Sequence, residues 1–409
     1  MISPKLCIRC KGKMLCGLGF CPILKKHSEQ TKTVSNIHGT EFTGASPPSL
    51  FVSWKNYPKV QIAPLSPTEV FDSTMLDAPE KWFGLPQEEI ISFRQQLLRS
   101  NKAVSVFDAA KPSYELAEMQ ELVMASDPTS IEVKLKKKPM PSLSFHESAA
   151  PHGPSAPLIK MRLDENPSIA KKIDYAVSDT DLKSSDALVS LYEAGFPISR
   201  LYKLLSAGTL GIGKRRRLVP TRWSITAVDS NIAKELVDEK VKFFPQISEI
   251  ELYHSNYLDN DFWVMLLPRS WAFEQLECWI PGGTWTANAK EAHIIQDHEF
   301  FKGRTKYATN VEGAYYSAKL GVAEHLVERK RQAAAIVFRE IGAGYGIPLG
   351  VWQIRENVRN ALRQRCLAFS NLQLALAFLS KKLRVPMPRY KRESKLLDFL
   401  QHQRTLSDF

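Results

Sequence analysis

The sequence predicts an α+β fold in which an antiparallel sheet is covered by C-terminal helices. Three segments rich in aromatic and branched residues follow one another at hairpin spacing, at 249–256, 261–267 and 272–281. Beyond residue 310, apolar residues recur at helical spacing almost to the end of the chain. Four cysteines near the N-terminus add a small zinc knot to this fold.

The first part of the chain gives weaker signals. Residues 28–49 are rich in Ser, Thr, Gly and Pro and are interpreted as a linker or long loop. Residues 86–126 are predicted to be helical, because apolar residues recur there every three or four positions. IEVKL, at 131–135, alternates as a strand does. Five prolines within 139–157 then indicate a surface excursion or a subdomain boundary.

The second part of the chain continues with alternating elements. The further predictions, in chain order, are a strand at 158–162, helices around 179–207, a strand at 217–229 opening a helix near Asp229, a helix over 311–341, the glycine-rich connector GAGYGIPLG at 342–350, and a second long helix through Leu383. We predict four parts: a four-cysteine zinc-binding module at 1–27, an N-terminal α+β region at 28–150, a main α+β domain at 151–392 and a C-terminal tail at 393–409.

Charge indicates the class of partner. The formal net charge is +12, and three clusters of Lys and Arg contain no acid, within 1–28, 214–222 and 381–392. Such clusters favour a polyanionic partner such as nucleic acid. The chain contains no run of 18 apolar residues and no apolar segment before the first cysteines, so neither a membrane span nor a secretory signal is predicted. We expect a cytoplasmic protein.

The cysteines Cys7, Cys10, Cys16 and Cys21 have the spacing C-x2-C-x5-C-x4-C. Four thiolates at such spacing suit the tetrahedral coordination of a structural Zn²⁺, and the surrounding cations ease their deprotonation. An iron–sulfur cluster is the main alternative. A disulfide is disfavoured in a reducing compartment, and no strand and helix flank the CxxC as in a thioredoxin-like site.

The chain ends QRTLSDF, with Gln403, Leu406 and Phe409 in the spacing Q-x-x-L-x-x-F. In one turn of tight helix, residues three apart align, so Leu406 and Phe409 would form one apolar plug while Gln403 reaches a second pocket. This is the pattern of the box by which replication and repair proteins dock on the PCNA sliding clamp. A tail that matches by chance is the alternative.

The cysteine knot, the terminal box and two internal segments resemble the archaeal Nre family of DNA repair proteins. The segments are KRRRLVPTRWSITAVDSN and the region from GAYYSAKLGVAEHL to GIPLGVWQIRENVR. The resemblance implies a role in DNA repair, a zinc site at the four cysteines and a clamp contact through the terminal box. It supplies no reaction.

The basic segment GTLGIGKRRRLVPTRW is the candidate for phosphate binding. Its glycines at 208, 211 and 213 could place backbone amides around phosphate, but Arg215 stands where a Walker A loop needs a hydroxyl. Trp223 could stack on a base. A basic hairpin on a scaffold is the plainer interpretation. The candidate phosphate-binding residues are Lys214, Arg215, Arg216, Arg217, Arg222 and Trp223.

Two other segments are candidates for an active site. HIIQDHEF brings His293 and Asp297 to one face if it is helical, which would allow a metal site with a remote carboxylate, but a polar surface loop is the stronger interpretation. GAGYGIPLG lacks the third glycine of a dinucleotide fingerprint and follows a predicted helix instead of a strand. No catalytic residue is therefore assigned.

Together with the resemblance, the sequence favours the hypothesis of a DNA repair factor that binds DNA through its basic clusters and docks on the sliding clamp. The alternatives are a metal-dependent nuclease or nucleotide-processing repair enzyme, with activity dependent on Asp229 or Asp297, and an RNA-binding zinc protein.

Overall fold

The computed structural model describes residues 21–37, 39–141, 152–283 and 289–402, together with Cys10, Lys13, Leu15 and Thr286. The chain forms two compact units: an N-terminal unit, Pro22–Ile232, and a C-terminal unit, Ala233–Phe409 together with Met1–Cys21. Each contains helices and a sheet, so the predicted α+β class is confirmed. In the described part of the chain, no helix is long and apolar enough to cross a bilayer. The four-part domain division stays a prediction.

A six-stranded sheet forms the centre of the N-terminal unit. Its strands are β1 (Glu41–Ser46), β2 (Leu50–Val52), β3 (Lys59–Ser66), β4 (Leu98–Ser105), β5 (Thr129–Leu135) and β6 (Ser155–Leu163). They lie in the order β1-β5-β6-β4-β3-β2, and every pair is antiparallel except β4–β6. The strand predicted at 131–135 is confirmed, because Ile131, Val133 and Leu135 are buried while the residues between them are exposed.

The helices of the N-terminal unit are α1 (Pro22–Ser35), α2 (Gln87–Gln96), α3 (Tyr114–Met124), α4 (Lys171–Ser178), α5 (Ser184–Glu193), α6 (Ile198–Ser206) and α7 (Thr221–Glu239), the last of which continues into the C-terminal unit. The linker predicted at 28–49 was wrong, since α1 and β1 occupy most of it. The single helical region predicted at 86–126 was also wrong, because β4 separates α2 from α3.

The sheet of the C-terminal unit is also six-stranded. Its strands are β7 (Ile250–Tyr257), β8 (Asn260–Leu267), β9 (Ala272–Trp279), β10 (His293–Glu299), β11 (Ala334–Ile341) and β12 (Leu367–Phe369). The order is β10-β9-β11-β8-β7-β12. The predicted meander is therefore interrupted: β11 lies between β8 and β9, antiparallel to the first and parallel to the second. The sheet is mixed where it was predicted to be antiparallel.

Helices cover both faces of this second sheet. They are α8 (Gly313–Arg329), α9 (Trp352–Arg363), α10 (Leu372–Ser380), α11 (Met387–Glu393) and α12 (Lys395–His402). On one face, Trp263, Leu276 and Phe338 pack with residues of α10, α11 and α12 in one apolar cluster. On the other face, α8 meets β9 through the rings of Tyr315 and Phe273, 5.1 Å apart. Coverage by C-terminal helices is thus as predicted, but on two faces.

The helix predicted over 311–341 ends at Arg329. Lys330 adopts a left-handed backbone conformation (φ 52°) and closes α8, and β11 follows. All eight residues of β11 are buried, because the strand lies in the middle of a sheet that is covered on both sides. A strand that is buried on both faces shows no alternation of buried and exposed residues that would distinguish it from a buried helix. The second long helix is likewise divided, since β12 separates α9 from α10.

Candidate nucleic-acid interface

The basic segment lies between α6 and α7 in the N-terminal unit. Its glycines serve the backbone: Gly208 has φ 68°, and a Cβ there would come within 2.7 Å of the carbonyl oxygen of Arg217. The N–H of Gly208 donates to the carbonyl of Leu205 (3.1 Å), and that of Gly213 donates to the carbonyl of Thr180 (2.8 Å). These two amides are therefore occupied within the fold and do not form a phosphate cradle.

Two of the predicted phosphate-binding arginines contact the protein itself. The guanidinium of Arg216 donates to the carbonyls of Gly211 (2.9 Å) and Val177 (2.6 Å), and burial lowers the pKa of this group. Arg217 donates to the carbonyl of Arg216 (2.7 Å), with its guanidinium carbon 4.6 Å from the ring centroid of Phe107. The Arg216 side chain therefore joins the segment to the end of α4.

The other predicted phosphate-binding residues face solvent. Lys214, Arg215, Arg222 and Trp223 are exposed. Within the described residues, neither Lys214 nor Arg215 makes an ion pair. Arg222 and Trp223 lie in the first turn of α7, which begins at Thr221. The structure thus presents a group of cations beside an exposed indole, which is suited to contacts with phosphate and with a flat ring.

Trp223 has an aromatic partner that was not predicted from the sequence. The ring of Tyr57, from the turn between β2 and β3, lies 5.3 Å from the indole, centroid to centroid. The two residues are far apart in the chain, so no local pattern joins them. The available signal was the turn SWKNYPK itself, which places two aromatic residues close to two lysines in a segment too polar for a core.

The segment around His293 and Asp297 is strand β10, neither a helix nor a loop. His293 and Asp297 lie on one face but about 13 Å apart along the strand. The Asp297 carboxylate is buried, accepts the N–H groups of Asn310 (2.9 Å) and Val311 (2.8 Å), and pairs with Arg304 (3.0 Å). These contacts give Asp297 a structural role, since it fixes the loop before α8.

Among the described residues, neither Asp229 nor Asp297 belongs to a metal-binding cluster of the kind that the nuclease interpretation needs. Asp229, predicted to lie near a helix start, is buried in the middle of α7. Across the ranges that the structure describes, no three His, Cys, Asp or Glu side chains are grouped to hold an ion. Neither Asp229 nor Asp297 therefore gains support as a catalytic carboxylate.

The glycine-rich connector follows strand β11, where a helix was predicted. The carboxylate of Asp259 accepts the N–H of Gly344 (2.8 Å) and pairs with Arg384 (2.6 Å). A Cβ at Gly342 would approach the Asp259 carboxylate oxygen to 2.0 Å. The glycine at 342 is therefore needed for the chain to pass this internal carboxylate.

The predicted zinc ligands are only partly described. Cys7 and Cys16 lie outside the described residues; Cys10 is buried and Cys21 half-buried. The N–H of Leu15 donates to the Cys10 sulfur (3.2 Å), and a turn brings the N–H of Lys13 to the Cys10 carbonyl (2.8 Å). Amide donors to sulfur stabilise a thiolate, so this geometry fits a metal ligand.

The predicted clamp-binding residues, Gln403, Leu406 and Phe409, lie outside the described residues. The helix before them, α12, is anchored at its start. The buried Glu274 carboxylate accepts the N–H of Lys395 (2.7 Å) and the hydroxyl of Ser394, and burial raises the pKa of Glu274 to about 7. Leu396 and Leu397 are buried, whereas Phe399 is largely exposed. The tail thus follows a helix that is packed on the sheet.

Comparison with known proteins identifies the family. Residues 15–286 match the family model described as archaeal Nre, N-terminal, and residues 299–409 match archaeal Nre, C-terminal. The chain belongs to the archaeal Nre family. The first match contains β7, β8 and β9 and the second contains β11 and β12, so both matched segments contribute strands to the second sheet. No solved structure matches the chain.

Three curated relatives align over nearly the whole chain. DNA repair protein NreB of Archaeoglobus fulgidus is 36% identical over 403 residues, 98% of this chain and 99% of the relative. DNA repair protein NreA of the same organism is 37% identical over 385 residues, 94% of this chain and 95% of the relative. DNA repair protein NreA of Haloferax volcanii is 34% identical over 380 residues, 91% and 90%.

Proposed function

We propose that this protein is a DNA repair factor that binds DNA through the exposed cations of the basic segment. The observation that carries the proposal is the exposure of Lys214, Arg215 and Arg222 beside Trp223, on a segment that contains no acid. The names of the three relatives support the repair role. Lys and Arg side chains that neutralise phosphates supply most of the affinity of a protein for DNA without regard to sequence. Such a role would place the protein at the nucleoid.

Replacing the three exposed cations tests this proposal. We expect the variant Lys214→Gln/Arg215→Gln/Arg222→Gln to bind DNA more weakly than the wild type. The slope of log affinity against log salt concentration should fall by about 2–3, because each lost phosphate contact removes about 0.7–0.9 of that slope. Fluorescence anisotropy with a labelled DNA, repeated at several salt concentrations, measures both quantities on the full chain.

A second triple variant provides the matched control. Lys136, Lys137 and Lys138 are also exposed and lie together after β5. Their replacement by glutamine removes the same charge but should leave the salt slope nearly unchanged. If the salt slope falls equally in the two variants, the contacts with DNA are not confined to the basic segment. If the wild type binds no DNA at all, the proposal fails.

We also propose that the C-terminal box docks on the PCNA sliding clamp. Support comes from the spacing of Gln403, Leu406 and Phe409 and from the anchored helix α12 before them. A short apolar plug at the end of a fixed helix can enter a clamp pocket without ordering the rest of the protein. Docking would raise the local concentration of a weak DNA binder at repair sites without any new DNA contact.

Calorimetry with the intact chain and the clamp tests this docking. Binding should disappear when residues 403–409 are deleted, and also in Leu406→Ala/Phe409→Ala, because the plug is then lost. Ser407→Ala, between the two anchors, is the control and should bind as the wild type does. Undiminished binding by the truncated chain would contradict the proposal, and so would an intact chain that does not bind.

We propose that Cys7, Cys10, Cys16 and Cys21 hold a structural Zn²⁺. The amide donor to the Cys10 sulfur supports the assignment, and so does the acid-free basic surrounding of the four cysteines. A bound Zn²⁺ would supply only a fixed tetrahedral crosslink between the two ends of this segment. The cysteines would position the N-terminal segment and take no part in a reaction.

Metal content tests the zinc proposal directly. The purified full chain should contain about one zinc per molecule, as for a closed four-cysteine site. Both Cys10→Ser and Cys16→Ser should lose most of it, because a hydroxyl replaces a ligating thiolate. Cys366→Ser removes a half-buried cysteine outside the knot and should keep the metal. Iron and sulfide in place of zinc would overturn the assignment.

A further inference from the structure

Four aromatic side chains of the N-terminal unit are exposed on three neighbouring segments. Trp54, Tyr57, Phe107 and Trp223, which we call the aromatic surface, are each 47–53% exposed. Tyr57 lies against Trp223, and Phe107 lies under the guanidinium of Arg217. Isolated exposed rings are ordinary, but several on connected segments indicate a binding surface.

Hydrogen bonds hold the three segments side by side. The N–H of Val106 donates to the carbonyl of Pro58 (2.9 Å), and the N–H of Leu218 donates to the carbonyl of Val106 (2.9 Å). The N–H of Val52 donates to Oγ1 of Thr221 (2.9 Å), which joins β2 to the start of α7. The exposed rings are therefore carried by a hydrogen-bonded frame, which reduces the entropy lost when a ligand binds them.

Positive charge surrounds these rings. The three segments, 53–59, 106–111 and 213–223, contain eight basic residues and a single acid, Asp108. The carboxylate of Asp108 is hydrogen-bonded within the protein, since it accepts the N–H of Ser105 (3.1 Å). The basic residues with exposed side chains are Lys55, Lys59, Lys111, Lys214, Arg215 and Arg222. Cations interleaved with exposed rings match a ligand that has both phosphates and flat rings.

We propose that the aromatic surface binds single-stranded DNA, with bases stacked on the exposed rings and phosphates beside the cations. This inference rests on the DNA binding proposed above and specifies the form of DNA. In a duplex the faces of the bases are covered by neighbouring base pairs, so only an unpaired strand can present them to Tyr57 and Trp223. Stacking is tolerant of base identity, so the surface would read unpaired structure and not sequence.

Anisotropy titrations of the full chain with a labelled single strand of about 20 nucleotides, and with the duplex of the same sequence, test this inference. The single strand should bind more tightly than the duplex. Tyr57→Ala and Trp223→Ala should each weaken strand binding roughly tenfold, since one base loses its stacking partner, and should change duplex binding little. Trp223→Phe keeps a ring and should keep most of the affinity.

Phe71→Ala is the matched control, because Phe71 is an exposed aromatic beyond the far end of β3. It should leave strand binding unchanged. Equal affinity for strand and duplex, or equal losses in Trp223→Phe and Trp223→Ala, would overturn the inference while leaving DNA binding through the cations intact. Absence of binding to either DNA would overturn both proposals. Tighter binding of an RNA strand of the same sequence would overturn the choice of DNA.

Discussion

Replacing Asp77 by asparagine is expected to lower the free energy of unfolding by about 3–5 kcal/mol. The carboxylate is buried and accepts the hydroxyl of Ser49 (2.5 Å). It also pairs with Arg94 (2.7 Å) from α2 and with Lys203 (2.8 Å) from α6. Removing its charge leaves two cations facing one another in a desolvated site. Such an unpaired buried charge costs far more than a lost surface contact.

The same residue predicts how acid affects stability. Burial acts to raise the pKa of Asp77, but Lys203 and Arg94 outweigh it and hold that pKa below its usual range. The ionised form is thus favoured in the folded state. Its stabilisation is complete above the unfolded pKa, about 3.9, and is lost as the pH falls through the lower folded pKa. The difference between wild type and Asp77→Asn should therefore shrink below about pH 4.

Urea unfolding followed by circular dichroism at several pH values measures both effects. Asp72→Asn is the control, because Asp72 is exposed and its hydrogen bond from the N–H of Thr74 (3.0 Å) lies at the surface, so the loss of stability should be small. An Asp77→Asn variant as stable as Asp72→Asn at neutral pH would contradict the prediction. Asp77→Asn should also weaken DNA binding indirectly. Its partner Lys203 lies in α6, and α6 ends at Ser206, whose hydroxyl donates to the Val219 carbonyl (2.7 Å) of the basic segment.

Secondary-structure elements could be predicted from the sequence where burial repeats with the period of a strand or a helix. The prediction was wrong where tertiary contacts determine the element. IEVKL alternates because one face of β5 is buried. By contrast, the polar helix α1 is held by hydrogen bonds, including one from the buried Thr33 hydroxyl to the Gln95 carbonyl (3.1 Å). No hydrophobic pattern reports such a contact. The insertion of β11 between β8 and β9 is equally invisible, since strand pairing across the chain leaves no local signature.

The candidate site likewise contains residues that could be predicted from the sequence and residues that could not. Composition alone identified the basic segment as a candidate, because a run of cations without acids needs no tertiary information to be recognised, whereas stacking of a base on Trp223 stays a prediction. The inward turn of Arg216 could not be predicted, since its partners are carbonyls of Gly211 and Val177. Tyr57 was missed because its contact with Trp223 depends on tertiary structure, including the hydrogen bond that joins Val52 of β2 to Thr221 at the start of α7.

Replacing Arg339 by methionine is expected to lower the free energy of unfolding by about 3–5 kcal/mol, as for other buried charge pairs broken on one side. Arg339 lies in the middle of the second sheet, with its guanidinium bonded to Glu277 (2.6 Å) and to the side-chain oxygen of Asn260 (2.7 Å). All three residues are buried. The methionine fills a similar volume but leaves the Glu277 carboxylate without its counter-charge.

The double variant Arg339→Met/Glu277→Leu separates the cost of the unpaired charge from the cost of lost packing. It should recover much of the stability lost in the single variant, because an apolar pair of similar volume replaces a buried ion pair at little cost. Recovery should be incomplete, since Asn260 still lacks its donors and Gln275, which donates to Glu277 (3.0 Å), loses its acceptor. A double variant no more stable than Arg339→Met would contradict this account.

Arg392→Met, which removes an exposed arginine of α11, is the control for loss of positive charge and should change stability little. The pair of variants also separates a structural from a functional role for Arg339. A structural role predicts that the restored double variant binds single-stranded DNA as the wild type does, because the aromatic surface belongs to the N-terminal unit. A stable double variant that no longer binds the strand would contradict a purely structural role for Arg339 and Glu277.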